Sequence, residues 1–296
     1  MNAAIPPKGP EPTYVPTYVD LRGLTRVGAK LPFGAYLAAL WNYRHFIFFD
    51  AKSNVQTRNS SDKLGSVWLV LTPLMNGLTY FLIFGVLLRA SRGMENYIGY
   101  LLIGVFLFQI SSRSIATGAR AIRSNLKVVQ AFNFPRAALL FGINMRETLA
   151  NVPAILTMLV LLLLIQPSEP ITWMWLLIFP ALLLQMIFNL GVGLILARLV
   201  ARFNDLANFI GFATRIWLYG SCVMFPITLF DRFPVIRGII EFNPLYQVLT
   251  IVRNAVLYYQ LPRWESWAIL TAWAFGALII GMLYFWQAEE SYGRDE

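Results

Sequence analysis

The sequence predicts an all-α integral membrane protein, with six transmembrane helices, an N-terminal amphipathic helix at the membrane interface, and short re-entrant helices between the fifth and sixth spans. Three observations carry that expectation. Of 296 residues, 57% are apolar and only 13% are charged, against roughly 25% charged in an average soluble domain. The mean hydropathy of +0.58 makes the surface apolar as well as the interior, so lipid is the solvent for most of the chain. Six apolar stretches, approximately 64–88, 97–119, 138–165, 173–197, 207–229 and 266–287, reach the roughly 20 residues that cross a bilayer.

Taken in order, residues 1–32 are a Pro-rich tail (Pro6, Pro7, Pro10, Pro12, Pro16) with a direct repeat, Pro12-Thr13-Tyr14-Val15 then Pro16-Thr17-Tyr18-Val19. The tail holds no apolar core of signal-peptide length and reads as an extended chain. Residues 33–63 contain the interface helix and a linker. Phe33, Tyr36, Leu37, Leu40 and Trp41 form one helical stripe, which Asn42, Arg44 and His45 soon interrupt. Such a helix is too short to span and suits the headgroup layer, with Trp41 and Tyr43 as anchors. The competing reading is a helix packed in the protein interior.

Residues 64–287 are the six-helix domain and 288–296 a short tail. Pro73, Pro153, Pro180 and Pro226 lie in or near spans, where neighbouring helices can repair the lost backbone bond, and they predict kinks. Segment 230–264 mixes short apolar runs with Pro234, Pro244 and Pro262. Each run is too short to cross, which predicts re-entrant or interfacial helices.

Basic residues orient the chain. Lys8, Arg22, Arg26, Lys30, Arg44, Lys52, Arg58 and Lys63 precede the first span, and Arg120, Arg123, Lys127, Arg136 and Arg146 surround the second connection. With Arg198, Arg202 and Arg294 they make sixteen on one side, against six on the other (Arg89, Arg92, Arg232, Arg237, Arg253, Arg263). The bias of Lys and Arg toward cytoplasmic loops then predicts both termini and the 120–136 connection in the cytoplasm. The net charge of +9 is therefore a topology signal, and no nucleic-acid partner is expected.

Several chemistries are excluded. One cysteine, Cys222, permits no internal disulfide, and with the single His45 it cannot supply a zinc site. No G-x-x-x-x-G-K-[ST] or G-x-S-x-G pattern occurs, so neither a phosphate cradle nor a nucleophile elbow is present. Acidic residues are too few and scattered for a general acid/base pair. The chain is not expected to be an enzyme or to hold a cofactor.

A series of motifs remains. Leu64-Gly65-Ser66-Val67-Trp68 is followed by Pro73; Arg123-Ser124-Asn125-Leu126-Lys127 is followed by Phe134-Pro135-Arg136; Arg202-Phe203-Asn204-Asp205-Leu206 follows the fourth span; and Asn243-Pro244-Leu245 precedes Arg253. In order and spacing they resemble, over about residues 35–290, the membrane (permease) subunit of ABC-2 type exporters. The nearest branch exports O-antigen and teichoic-acid-like polysaccharides, and the basic Pro-rich tail is consistent with an actinobacterial cell-wall galactan exporter. At Asn204-Asp205 the chain departs from the Arg-Asp of many relatives.

The 120–134 connection by itself reads as a short basic helix stopped ahead of Pro135. The resemblance implies a coupling helix that docks into an ATPase subunit, with Asn125, Lys127, Phe132, Phe134, Pro135 and Arg136 as contact residues; an ordinary positive-inside loop is the alternative. Arg113 and Arg215 fall inside spans, where a charge costs roughly 2.5–3.5 kcal/mol on insertion scales. They either snorkel to the interface or meet the pyrophosphate of a lipid-linked substrate at the mouth of a conduit. Trp68, Tyr80, Phe84, Tyr97, Tyr100, Phe106 and Phe108 on the first two spans could line a tunnel along which sugar C–H groups slide over ring faces. Other aromatics, including Trp173, Trp175, Trp264 and Trp267, suit interfacial belts. Pro226, Pro234, Asn243, Pro244 and Arg253 stand where the resembling family places a re-entrant gate, although Asn-Pro is also a plain turn signal.

The resemblance implies two copies of this chain forming a conduit and two copies of a separate ABC ATPase, which holds ATP and Mg. It also implies a lipid-linked cell-envelope polysaccharide as substrate and the bacterial cytoplasmic membrane as the location. The rivals are an ABC-2 exporter of small lipids or drugs and an ion-coupled glycolipid flippase. A flippase would bury several carboxylates at mid-membrane, whereas Glu147 alone lies well inside a span region. A membrane transferase would need an acidic cluster, and Asp231 and Glu241 stand alone.

Overall fold

The computed structural model describes residues 31–61, 67–87, 96–132, 134–165 and 172–292. The motif residues Leu64, Gly65 and Ser66, and nearly all of the Pro-rich tail, lie outside them. Every regular element among the described residues is helical: α1 (Phe33–Asn42), α2 (Arg44–Ser61), α3 (Val67–Tyr80), α4 (Tyr97–Ala119), α5 (Ala121–Ser124), α6 (Leu126–Ala131), α7 (Ala137–Ile165), α8 (Ile178–Arg202), α9 (Leu206–Gly220), α10 (Pro234–Phe242), α11 (Pro244–Val256) and α12 (Trp264–Gln287). A π-helical turn, Phe81–Leu87, continues α3, and 3-10 turns stand at Trp173–Leu177, Ile227–Phe230 and Glu289–Ser291.

Four segments are long and apolar enough to cross a membrane: Tyr97–Ala119, Ala137–Leu164, Trp173–Arg202 and Trp264–Gln287. A fifth crossing results if α10 and α11, bent by 81° at their junction, count as one span. Two of the six stretches expected to span do not count as spans among the described residues. The first is continuous helix over 67–87, within which Leu74–Leu87 is a short apolar helix. In the fifth, α9 ends at Gly220 after 15 residues, about 22 Å at 1.5 Å per residue and less than a bilayer core. The stop has a local cause: Ser221 Oγ donates to the Trp217 carbonyl at 2.7 Å, and Cys222 takes φ 50°, a conformation that breaks a right-handed helix.

Proline effects differ by position. Pro153 sits inside α7 and the helix continues through it, with Thr157 Oγ1 donating to the Pro153 carbonyl at 2.9 Å. Pro234 and Pro244 open α10 and α11 at the first helical turn, where no N–H is needed.

α8 is the spine of the fold. A Cβ on Gly191 would lie 2.4 Å from the Ala277 backbone of α12, one on Gly281 would lie 2.4 Å from the Gly191 carbonyl, and a Cβ on Gly118 of α4 would meet Gly193 Cα at 3.3 Å. Small residues thus let α8 touch α12 on one side and α4 on the other, the way helices associate where no hydrophobic gain is available. Gln185 locks the α4 contact, its Nε2 donating to the Leu107 carbonyl and Ser111 Oγ, both at 2.8 Å.

Apolar side chains gather in two main clusters. One unites α4, α7 and α11 around Phe106, Met158 and Leu249. The other joins α1, the start of α7 and the ends of α8 and α12 around Tyr36, Leu140, Leu194 and Phe285. The helix expected from Phe33 is present as α1; it buries Tyr36 and Leu40 and leaves Trp41 68% exposed. α2 runs beside α7, with Asp50 next to Gly142.

Candidate functional site

α3, α4 and α9 enclose a groove of about 400 Å³. Thr72, Asn76 and Tyr80 face it from α3; Phe108, Gln109, Ser112 and Arg113 from α4; Gly211, Thr214 and Arg215 from α9. Each wall carries polar groups at helical spacing on an otherwise apolar helix. Arg113 is half-buried and Arg215 exposed. Among the described residues, no carboxylate forms an ion pair with either guanidinium. Two guanidinium groups lining one groove have the chemistry to donate to the oxygens of an anion such as phosphate.

Of the seven aromatic residues expected along a conduit, Tyr80 and Phe108 line this groove. Phe108 meets Trp217 edge-on at 5.9 Å between centroids. Phe106 is buried in the main cluster, and Phe84 packs against that cluster. Trp68 is half-exposed on α3. Tyr97 and Tyr100 point into a different structure, a knot around the turn that follows α9.

That knot is built from backbone carbonyls. Tyr97 Oη donates to the Met224 carbonyl at 2.9 Å, and Tyr100 Oη reaches the Cys222 and Phe225 carbonyls at 2.8 and 2.9 Å. From α11, fully buried Arg253 donates to the carbonyls of Cys222 (3.1 Å), Tyr100 (3.1 Å) and Val223 (3.0 Å), and its guanidinium lies 3.3 Å from the Tyr100 ring centroid. Gly104 is small because a Cβ there would meet Arg253 Nη2 at 2.7 Å. The Cys222 and Val223 carbonyls lie beyond the end of α9 and need donors, and this cation provides one to each.

Asn243 secures the same region from below. Its Oδ1 accepts from Leu245 N, capping α11, and from Trp217 Nε1, both at 3.0 Å. Its Nδ2 donates to the Gly220 carbonyl at 3.0 Å and Ser221 Oγ at 2.9 Å. Pro244 follows it as the first residue of α11, Pro226 precedes the 3-10 turn, and Pro234 begins α10. The five residues expected at a re-entrant gate thus belong to one stretch of chain, in which Asn243 binds the end of α9 and Arg253 the turn that follows it.

The 120–134 connection differs in form from a single helix. It breaks at Asn125 into α5 and α6, and Asn125 Nδ2 donates back to the Ala121 carbonyl at 2.8 Å, a side-chain bond that competes with helix continuation. Phe132 is extended and ends α6, three residues ahead of Pro135. Lys127 and Phe132 are exposed, Phe134 is half-buried and Pro135 buried. Leu126 and Val128, which the sequence reading passed over, add to the exposed apolar surface of α6. Arg120 and Arg123 tie the connection to the far ends of α8 and α9 by donating to the Ala207 (3.3 Å) and Val200 (3.0 Å) carbonyls.

Arg136 faces inward. Its guanidinium bonds the Glu289 carbonyl, and its backbone N–H donates to Glu289 Oε1 at 2.8 Å. Tyr36 Oη donates to Glu289 Oε2 at 2.9 Å and accepts from Ala137 N at 3.1 Å. Burial pushes the Glu289 carboxyl up from its ordinary value, against the pull of the Arg136 N–H and the Tyr36 hydroxyl. Burial also raises the Tyr36 phenol, and the Glu289 carboxylate beside it adds to the shift. Sequence spacing gave no hint of this junction, since its members are up to 253 positions apart.

No protein-family model matches the chain. Among curated proteins, it is 24% identical over 233 residues to the O-antigen export system permease protein RfbA of Myxococcus xanthus, covering 79% of this chain and 88% of that protein. It is 25% identical over 203 residues to the O-antigen export system permease protein RfbA of Klebsiella pneumoniae, covering 68% and 76%. It is also 25% identical over 241 residues to the polysialic acid transport protein KpsM of Escherichia coli, covering 80% and 91%.

Proposed function

We infer that this chain is the transmembrane, non-catalytic subunit of an ABC-2 type exporter that moves a cell-envelope polysaccharide, carried on a lipid, across the bacterial inner membrane. The observation that carries the reading is the likeness to O-antigen and polysialic acid transport proteins over most of both chains. The groove of α3, α4 and α9 supports it, because Arg113 and Arg215 offer two cations to a diphosphate while Tyr80 and Phe108 offer ring faces to sugars.

In this reading α3 with its π-helical turn, and α9, complete a six-span domain with α4, α7, α8 and α12. α1 lies along the interface as the amphipathic helix, and α10 and α11 form the re-entrant gate. Sixteen basic residues against six support cytoplasmic termini. A second copy of the chain closes the conduit, and two copies of an ATPase, which bind ATP and Mg, sit against α5 and α6. Lys127, Phe132 and the exposed apolar residues beside them suit the walls of a protein cleft. Movement of α5 and α6 reaches the groove through the bonds of Arg120 and Arg123 to the ends of α9 and α8, a coupling by packed elements with discrete arrangements.

The test is reconstitution. The purified chain alone is expected to hydrolyse no ATP. Proteoliposomes holding it with its co-purified ATPase are expected to export lipid-diphosphate-linked polymer, and to lose export when Lys127→Glu and Phe132→Asp are combined. ATPase activity of the chain by itself would refute the assignment.

A further inference from the structure

α3 has a hollow on either side of it. Thr72, Asn76 and Tyr80 face the polar groove of about 400 Å³. Leu74, Gly77 and Leu78 face a second cavity of about 300 Å³, walled by Leu101 and Phe106 of α4 and Leu161 of α7. At 100° per residue the two sets of α3 positions point about 150° apart, so the hollows flank the helix. Val105 of α4 is buried and is the residue that the two walls share. α3 therefore bears on α4 along a ridge with clearance on both sides.

The second cavity is lined by apolar side chains throughout, and it opens toward lipid where Leu78 and Ile98 are about half exposed. A helix moving into it displaces hydrocarbon and buries no polar group. Nothing directional opposes that movement. Among the described residues no side-chain hydrogen bond joins α3 to another helix, and Thr79 Oγ1 donates back to the Met75 carbonyl of α3 itself at 2.8 Å. α4, by contrast, is fastened to α8 through Gln185. Beyond Tyr80 the chain is held: a Cβ on buried Gly85 would lie 3.0 Å from both the Phe81 and Tyr97 rings, and Tyr97 is bonded to the Met224 carbonyl. The π-helical turn Phe81–Leu87 stands at that held end, and π-turns are places where a helix bends.

We propose that α3 rocks over Val105, hinged at the π-helical turn, and that the apolar cavity is the clearance by which the polar groove widens. In one position the helix stands as described. In the other its Gly77 region fills the apolar cavity, and Thr72 and Asn76 withdraw from Arg215 on α9. Spread over the roughly 10 Å of helix from Leu74 to Phe81, at 1.5 Å per residue, a volume of about 300 Å³ allows a swing of about 5 Å. The device rests on the packing of α3 and α4 and holds whatever occupies the groove.

The experiment measures the distance between α3 and α9 by double electron–electron resonance on the full chain in nanodiscs, with nitroxide labels at Met75→Cys and Phe212→Cys, both exposed positions. Buried Cys222 stays unlabelled. Two distances are expected, differing by about 5 Å and populated within about tenfold of each other, since the swing breaks no hydrogen bond. Gly77→Phe, where an added Cβ meets nothing within 4 Å, fills the cavity and is expected to abolish the longer distance while keeping the shorter. Leu78→Trp, at a half-exposed wall position, is expected to do the same and decides the matter if Gly77→Phe does not fold. A single distance in the native chain, or a longer distance that survives in the filled variants, would overturn the proposal.

Discussion

Glu289 Oε1 accepts the backbone N–H of Arg136 at 2.8 Å, which fastens the start of α7 to the chain just beyond α12. Tyr36 joins them from α1, so one buried carboxylate holds three distant segments. Glu289→Ala leaves buried donors on Arg136 and Tyr36 without an acceptor. It is expected to cost about 2–3 kcal/mol, measured as a lower melting temperature of the solubilised chain.

The same carboxylate predicts a pH dependence. Burial holds its folded pKa above the ordinary 4.5, so the folded state keeps the proton to higher pH than the unfolded one. That contribution to stability is fully present below pH 4.5 and is lost as pH rises through the folded value. Melting temperature against pH should show this decline in the native chain and a flatter profile in Glu289→Gln.

Arg253 is expected to be intolerant of truncation. Arg253→Ala removes buried hydrogen bonds to three carbonyls, of which that of Cys222 keeps the Tyr100 hydroxyl, and is expected to cost about 3 kcal/mol, seen as loss of monodisperse protein on size-exclusion chromatography. Arg253→Lys keeps the charge but not the planar fork, so an intermediate loss is expected.

At the α8–α12 crossing, Gly191→Ala puts a methyl 2.4 Å from the Ala277 backbone. Backbone cannot yield as a side chain does, and overpacking of about 1–3 kcal/mol is expected. Gly276→Ala on α12, where an added Cβ meets nothing within 4 Å, is the matched control and should melt as the native chain does.

For the groove, Arg113→Gln and Arg215→Gln are each expected to lower export of a diphosphate-linked polymer about tenfold or more while leaving the melting temperature unchanged, the loss of one charge-assisted contact. Reconstituted transport alongside thermal melting checks both halves.

Long apolar runs made α4, α7, α8 and α12 legible, because a span needs only length and hydrophobicity to declare itself. The ends of α3 and α9 were not legible in that way. A π-helical turn, and a stop made by Ser221 and the Cys222 backbone and held by Asn243 from 23 positions away, leave the local composition unchanged. Arg113 and Arg215 could be nominated singly, as charges in apolar segments. Their shared groove was foreshadowed by Thr72, Asn76 and Tyr80 at four-residue intervals, a polar stripe that the reading of aromatic residues overlooked. Tyr97 and Tyr100 looked like tunnel lining and prove to be donors to backbone carbonyls. Such bonds draw on the main chain, which every sequence has, and so leave no pattern to read.

The glycines of α8 carry a mechanical consequence. With Gly191 against α12 and Gly193 against α4, this helix meets both neighbours backbone to backbone at those points, where no side chain can yield. It can neither slide nor roll without collision or void, so it acts as a keel. Displacement in any working cycle must then be borne by the elements on the far side of the groove, α3 and α9, whose short or π-distorted helices have the slack that the keel lacks.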